Sequence, residues 1–332
     1  MTFSLNRRAF ATGMLMSLAI PLSAPALAQQ NYPTGPVKLI VPFGAGGLND
    51  TTARLWADKV SPHLGQPIIV ENRPGGGGLI GTVEVANAKP DGYTLLLGSS
   101  TTQVIVPLAA ETKRYDPIKD FQAVSLFAVA TAVIAVHPSI PANNIEELIA
   151  YIRSKPGELS YGSAGVGSNS HLAGEMFKNT VGDLDLVHAP YNSGNGALQD
   201  LIAGHIPIAT PHITSQIIEF HKEGKIRILA VAAAERLASA PDIPTGIEAG
   251  LSDWIAQTFN GIIAPAGVPA EIVAKVAAAS ALSLEDEDFV NLLTASGYQA
   301  LPGVDGERAQ AYIAAEVGRL EPVIKATGFK LK

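Results

Sequence analysis

From Tyr32 onward, short apolar runs alternate with segments of helical period, and this alternation admits few folds. The runs are "VKLIVPF" (37–43), "PIIVEN" (67–72), "YTLLLGS" (93–99), "LSYGS" (159–163), "LDLVHAPY" (184–191), "IPIATP" (206–211) and "IRILAVA" (226–232). They are rich in β-branched residues and bounded by Gly, Pro and Asn, as buried strands are. Between them the apolar spacing predicts helices near 50–64, 79–88, 144–155, 170–180, 196–204 and 213–223. Strand, helix and strand at this spacing predict βαβ units, mostly parallel sheets flanked by helices, and an α/β class. With 332 residues, 47% of them hydrophobic, the chain can bury enough core for two domains.

Two stretches break the alternation. "QAVSLFAVATAVIAVHPSIP" (122–141) is a long β-prone run without a turn, and "WIAQTFNGIIAPAGVP" (254–269) is a second extended piece. Two long strands there suit a chain that crosses into a second lobe and later returns. The expected division is a discontinuous first lobe, 30–126 with 258–332, and a second lobe, 127–257. After Pro269 the sequence turns to alanine-rich helix.

The N-terminus reads as an address rather than as fold. Arg7-Arg8 precede the apolar run "AFATGMLMSLAIPL", and Ala26-Leu27-Ala28 form an A-x-A site before Gln29. Residues 1–28 are therefore expected to be a signal peptide cleaved near Ala28–Gln29, since the run is short for a membrane span. The paired arginines leave Sec and twin-arginine export both open. Cleavage would remove two positive charges from a net −7 and leave −9. Lys and Arg number 23 against 30 acidic residues, with no basic run, so a nucleic-acid partner is not expected. The absence of cysteine excludes disulfides, thiolate metal sites and cysteine nucleophiles.

In open α/β sheets, ligands sit where loops leave the carboxyl ends of strands. Those loops are "GAGGLND" (44–50), "GSSTTQ" (98–103), "GSAGVGSNSH" (162–171), "PYNSGNG" (190–196) and "TPHITS" (210–215). They hold glycine, small hydroxyls, Asn and His, with Asp50 as the one carboxylate and no Lys or Arg. A strand, a glycine turn and a helix start make a seat for an anion, because first-turn N–H groups point outward. The candidate ligand-binding residues are Gly44, Gly46, Gly47, Leu48, Asn49, Ser99, Thr101, Ser163, Gly165, Ser168, Asn169, His171, Tyr191, Asn192, Gly194, Asn195, Thr210 and His212. Gly162, Gly165 and Gly167 are expected to let backbone amides approach the ligand closely. Asp50 reads as a helix-start carboxylate.

Nucleotide and catalytic readings fail on spacing. A G-x-G-x-x-G fingerprint from Gly44 meets Asn49 at its last glycine, and no G-K-[ST] follows the glycines. No G-x-S-x-G elbow occurs. His171, His188 and His212 stand on separate segments without a metal-binding motif, so neither metal nor cofactor is expected. A small carboxylate held by helix starts and neutral donors fits better, each start contributing about 0.3–2 kcal/mol.

Six ordered blocks also carry a resemblance: "YPTGPVKLIVPFGAGGLND", "LGQPIIVENRPGGGGLIG", "KPDGYTLLLGS", "LSYGSAGVGSNSHLAGEMF", "HAPYNSGNGALQDLIAGHI" and "APAGVPAEIVAKV". In these the chain resembles the Bug-type solute-binding receptors of tripartite tricarboxylate transporters. The resemblance implies a two-lobed periplasmic-binding-protein-like fold that closes on a small carboxylate, mono- or dicarboxylate, aliphatic or aromatic. It implies delivery to membrane permease subunits and no catalysis, with a monomeric receptor expected. It places Gly44 to Asn49 in the first lobe's anion site, and Ser163 to His171 and Tyr191 to Asn195 in the second's. The chain departs from the family pattern at Ala45 and Leu48, where proline and a hydroxyl residue are usual, and after Pro190-Tyr191, where Asn192 replaces a common lysine. These departures point toward a less charged or more apolar acid. A ligand-sensing partner of a two-component sensor kinase shares the same pocket, and an exported enzyme on this scaffold would need an acid–base pair that the sequence does not offer.

Overall fold

In the computed structural model of the chain, Met1, residues 32–182 and residues 184–331 are described. Apart from Met1, the expected signal segment and its cleavage point lie outside them, as do the first residues of the expected first lobe. Pro33–Lys332 forms one unit, distinct from Met1–Tyr32.

The strands and helices of this unit are, in order, β1 (Val37–Val41), α1 (Leu48–Leu64), β2 (Ile68–Asn72), α2 (Leu79–Ala86), β3 (Thr94–Ser99), α3 (Val106–Ala109), β4 (Phe121–Thr131), β5 (Val133–Val136), α4 (Ile145–Arg153), β6 (Ser160–Ser163) and α5 (Asn169–Thr180). They continue with β7 (Val187–Pro190), α6 (Gly194–Ile202), β8 (Ile208–Ala209), α7 (Ser215–Lys222), β9 (Arg227–Val231), β10 (Gln257–Pro265), α8 (Ala270–Ser283), α9 (Glu287–Ala295), β11 (Tyr298–Asp305) and α10 (Gly306–Thr327). A six-stranded sheet has the order β11-β4-β10-β3-β1-β2, and a five-stranded sheet the order β7-β6-β8-β5-β9.

The expectation of mostly parallel sheets is corrected by the pairing. Among the described strands, four pairings are parallel and five antiparallel. The cause lies in the two long apolar stretches. The chain leaves the first sheet along β4 and returns along its neighbour β10, paired from Gln257↔Thr131 to Pro265↔Phe121, so the two must run in opposite directions. The run at 122–141 also breaks at Ala132, one residue between β4 and β5. There three alanines meet: Ala132 N–H donates to Ala256 O (3.0 Å), Ala256 N–H to Ala232 O (3.0 Å), and Ala232 N–H to Ala132 O (2.8 Å). All three are buried, and their methyl groups let three chain segments cross at backbone distance.

Packing then fixes the helices. Trp56 on α1 is fully buried, stacks on Phe127 of β4 at 6.2 Å, and donates its indole N–H to Ser280 Oγ of α8 (2.9 Å). Trp254, also buried, donates to the Ala173 carbonyl of α5 (2.9 Å), tying the return connection to that helix. Aromatic rings of this size dominate the apolar area removed from water, and their N–H groups are satisfied where they lie.

Candidate ligand cavity

The first wall is built by β1 and α1. Val37, Leu39, Ile40 and Val41 are buried, and the chain then turns through Gly46, at φ +77°, into Gly47, the extended N-cap of α1. Its N-cap, a glycine, has no side chain to cap the first turn. Asp50, in its first turn and only 4% exposed, instead braces the loop from behind. Its Oδ2 accepts Gly46 N–H (2.9 Å) and Arg54 Nε–H (3.1 Å), and its Oδ1 accepts Asn72 Nδ2–H (2.9 Å). Asn72 donates in turn to the Phe43 carbonyl (3.1 Å). Burial alone would raise the Asp50 pKa, but Arg54, the Gly46 amide and Asn72 outweigh it and hold the carboxyl below its ordinary range.

Three more helices begin at the same place. Ser168 caps α5, accepting His171 N–H (3.1 Å), and Ser193 caps α6, accepting Gly196 N–H (3.3 Å). Thr214 caps α7, accepting Ile217 N–H (3.1 Å). All four N-caps, Gly47, Ser168, Ser193 and Thr214, line one cavity of about 440 Å³. Among the described residues its wall contains no Lys, Arg, Asp or Glu, and its apolar part includes Phe43, Leu48, Leu198 and Ile217. Helix starts, with their dipoles and first-turn N–H groups, are therefore what this wall can offer an anion.

On the cavity wall, Asn169 and His212 form a directed pair. Asn169 Nδ2–H donates to Gln257 O (3.1 Å), and its Oδ1 lies 3.1 Å from His212 Nε2. Burial pushes the His212 pKa down to about 4, so the ring is neutral near pH 7. In the floor, Tyr298 OH accepts from Asn260 Nδ2 (2.7 Å), and the buried Ser99 Oγ finds no partner among the described residues.

Of the residues singled out from sequence, Gly44, Gly46, Gly47, Leu48, Asn49, Ser99, Thr101, Ser168, Asn169, Asn192, Gly194, Asn195 and His212 line this cavity. Ser163, Gly165, His171, Tyr191 and Thr210 are not part of its wall. Ser163 Oγ is paired with His188 Nε2 at 2.7 Å. His171 stacks on His188, centroids 3.7 Å apart, and burial pushes its pKa down to about 3. Tyr191 OH donates to Asp200 (2.6 Å), and Thr210 Oγ1 donates to the Ser170 carbonyl (2.6 Å).

The glycine expectation also changes. A Cβ on Gly165 would meet the Tyr191 carbonyl at 2.8 Å, on Gly167 the Leu331 side chain at 3.1 Å, and on Gly162 the Ile206 side chain at 2.4 Å. These glycines admit neighbours within the protein. Sequence reasoning missed Phe43, Thr51, Thr214, Gln216, Thr258, Ser296 and Tyr298, which also line the cavity. Thr214 falls at the start of the helix expected near 213–223, as its cap; Ser296 precedes and Tyr298 opens β11, a strand the sequence pattern does not reveal.

Comparison with known proteins agrees with this architecture. A family model described as "Tripartite tricarboxylate transporter family receptor" matches residues 52–329. The protein BugT of Bordetella pertussis is 31% identical over 318 residues, covering 95% of this chain and 94% of BugT. A Rhodopseudomonas palustris protein solved with adipate superposes with a TM-score of 0.82 at 33% identity, covering 90% of this chain and 99% of that one. MatC from the same organism, solved with bound malate, gives 0.80 at 32%, covering 88% and 100%. The chain belongs to the tripartite tricarboxylate transporter receptor family, as a Bug-type solute-binding receptor on a periplasmic-binding-protein fold and not an enzyme.

Proposed function

We propose that this receptor is exported to the periplasm, captures a small organic carboxylate in the cavity at the four helix starts, and passes it to membrane permease subunits of a tripartite tricarboxylate transporter. The observation that carries the reading is the convergence of the N-caps of α1, α5, α6 and α7 on one cavity whose wall holds no charged side chain. A buried anion there is held by dipoles and amide donors rather than by an ion pair. The adipate and malate bound by two relatives support the carboxylate class. We assign ligand contact to the thirteen cavity-lining residues named above, and the two sheets to two lobes that close on the ligand. Export is supported by the Arg7-Arg8 and Ala26-Leu27-Ala28 pattern.

A thermal-shift screen over mono-, di- and tricarboxylates tests the capture step. A true ligand at about 100 times its Kd adds about 2.7 kcal/mol to stability. A panel in which uncharged amides shift the unfolding temperature as much as their parent acids refutes the anion reading. Intact mass of protein recovered from the periplasm tests export, which predicts a chain beginning near Gln29.

A further inference from the structure

We infer that the ligand of this cavity bears, besides its carboxylate, an O–H or N–H group that donates a hydrogen bond to Nδ1 of His212. The inference rests on the carboxylate reading above and narrows it to hydroxy acids, amino acids or acids with a ring N–H.

One direction of hydrogen bonding at this pair is fixed. The carbonyl of Gln257 can only accept, so the Asn169 atom 3.1 Å from it is the amide nitrogen. That orientation turns Asn169 Oδ1 toward His212, at 3.1 Å from Nε2. A carbonyl oxygen requires a donor, so Nε2 carries the proton. In a neutral ring Nδ1 is then a bare acceptor, and it has no partner among the described residues. His212 lines the cavity and is half-buried, and we take this unpartnered lone pair as the one offered to a ligand there.

A carboxylate oxygen cannot satisfy that lone pair, because both are acceptors. Closing the cavity on an acid without a donor strands Nδ1 or traps a bridging water there, whereas a hydroxyl or amine at the right place completes it. Sites that present a buried polar group to a substrate O–H discriminate strongly against the analogue that lacks it. The competing chemistry is protonation of His212 on binding, which would make it a donor to the carboxylate itself. Burial of the ring opposes that charge.

Calorimetric titration of matched pairs tests the inference: lactate against propionate, malate against succinate, 4-hydroxybenzoate against benzoate. The donor-bearing acid of the preferred pair is expected to bind about tenfold tighter or more. In His212→Phe the ratio is expected to fall to about one. Long-range ¹⁵N–¹H correlation on the unmodified protein gives a readout that does not depend on the variant folding: Nδ1 stays unprotonated in the complex. Acids that bind equally well with and without the donor overturn this inference while leaving carboxylate capture intact. An imidazolium signature in the complex does the same. Failure of every carboxylate to bind overturns both.

Discussion

Asp50→Asn separates a structural brace from a charge that faces the ligand. The carboxylate accepts from Gly46 N–H, Asn72 Nδ2 and Arg54, so whichever oxygen becomes an NH₂ group, a donor is placed against donors. Losing about two charge-assisted bonds, each worth about 1.5–3 kcal/mol and partly recovered by water, gives a destabilisation of about 2–4 kcal/mol. Arg54 adds little, because its side chain is 52% exposed and remains hydrated without its partner. Against this stands a Coulombic gain: removing a negative charge beside an anion site should strengthen binding. Since Arg54 lies 2.9 Å from Asp50, the pair is already neutral at a distance, and the gain is below about 1 kcal/mol. The loosened glycine loop must instead be reordered by the ligand, at about 1–2 kcal/mol per residue fixed. Binding is therefore expected to weaken about tenfold while the empty protein loses about 2–4 kcal/mol in urea unfolding. Tighter carboxylate binding at unchanged stability would refute the reasoning and make Asp50 a repulsive rim charge.

Acid should destabilise the fold well before the carboxylates titrate. Burial, the largest cause at each, depresses His171 to about 3, His188 to about 4 and His212 to about 4, against about 6.5 unfolded. Their contribution is fully present above about pH 6.5 and is lost as pH falls toward 4; by pH 5 the three together should remove about 3–5 kcal/mol after allowing for partial exposure. Equal unfolding free energies at pH 7 and pH 5 would contradict this. Gly297→Ala should cost more than about 2 kcal/mol, because Gly297 sits at φ +88° and its Cβ would lie 2.1 Å from the Ile213 carbonyl. A neutral result in chemical denaturation would show that the contact between the start of β11 and the segment before α7 relaxes freely. Affinity should change less than about threefold between about 50 and about 500 mM salt, since no cationic side chain among the described residues lines the cavity and buried contacts are poorly screened. A loss of orders of magnitude in titrations would place a basic side chain at the anion.

Much of this architecture was legible because its strands are apolar runs punctuated by glycine. "VKLIV" and "YTLLLGS" lie within a residue or two of β1 and β3, and the first-wall loop from Gly44 to Asn49 lines the cavity. The strand β11 was hidden because Pro302 and Gly303 interrupt "YQALPGVD", where the pairing with β4 shifts register between Ala300 and Val304. Tyr298 and Ser296 went unseen with it. On the second wall Ser168, Asn169, Asn192, Gly194, Asn195 and His212 line the cavity, whereas Ser163, Gly165, His171, Tyr191 and Thr210 lie behind it. Ser163, His171 and Tyr191 have the residue types of a polar pocket, yet their polar atoms are engaged with His188, Gly167 and Asp200. A loop's composition shows which groups can donate or accept. It does not show which of them the neighbouring strand has already satisfied.

In the proposed complex helix starts, and not basic side chains, hold the ligand's carboxylate. A crystal structure of the complex with the tightest-binding carboxylate tests it most directly. Carboxylate oxygens are expected about 3 Å from first-turn backbone N–H groups at Gly47–Asn49 and at the starts of α5, α6 or α7, with no Lys or Arg nitrogen within about 4 Å. A carboxylate paired with a lysine or arginine, or seated outside this cavity, would contradict it.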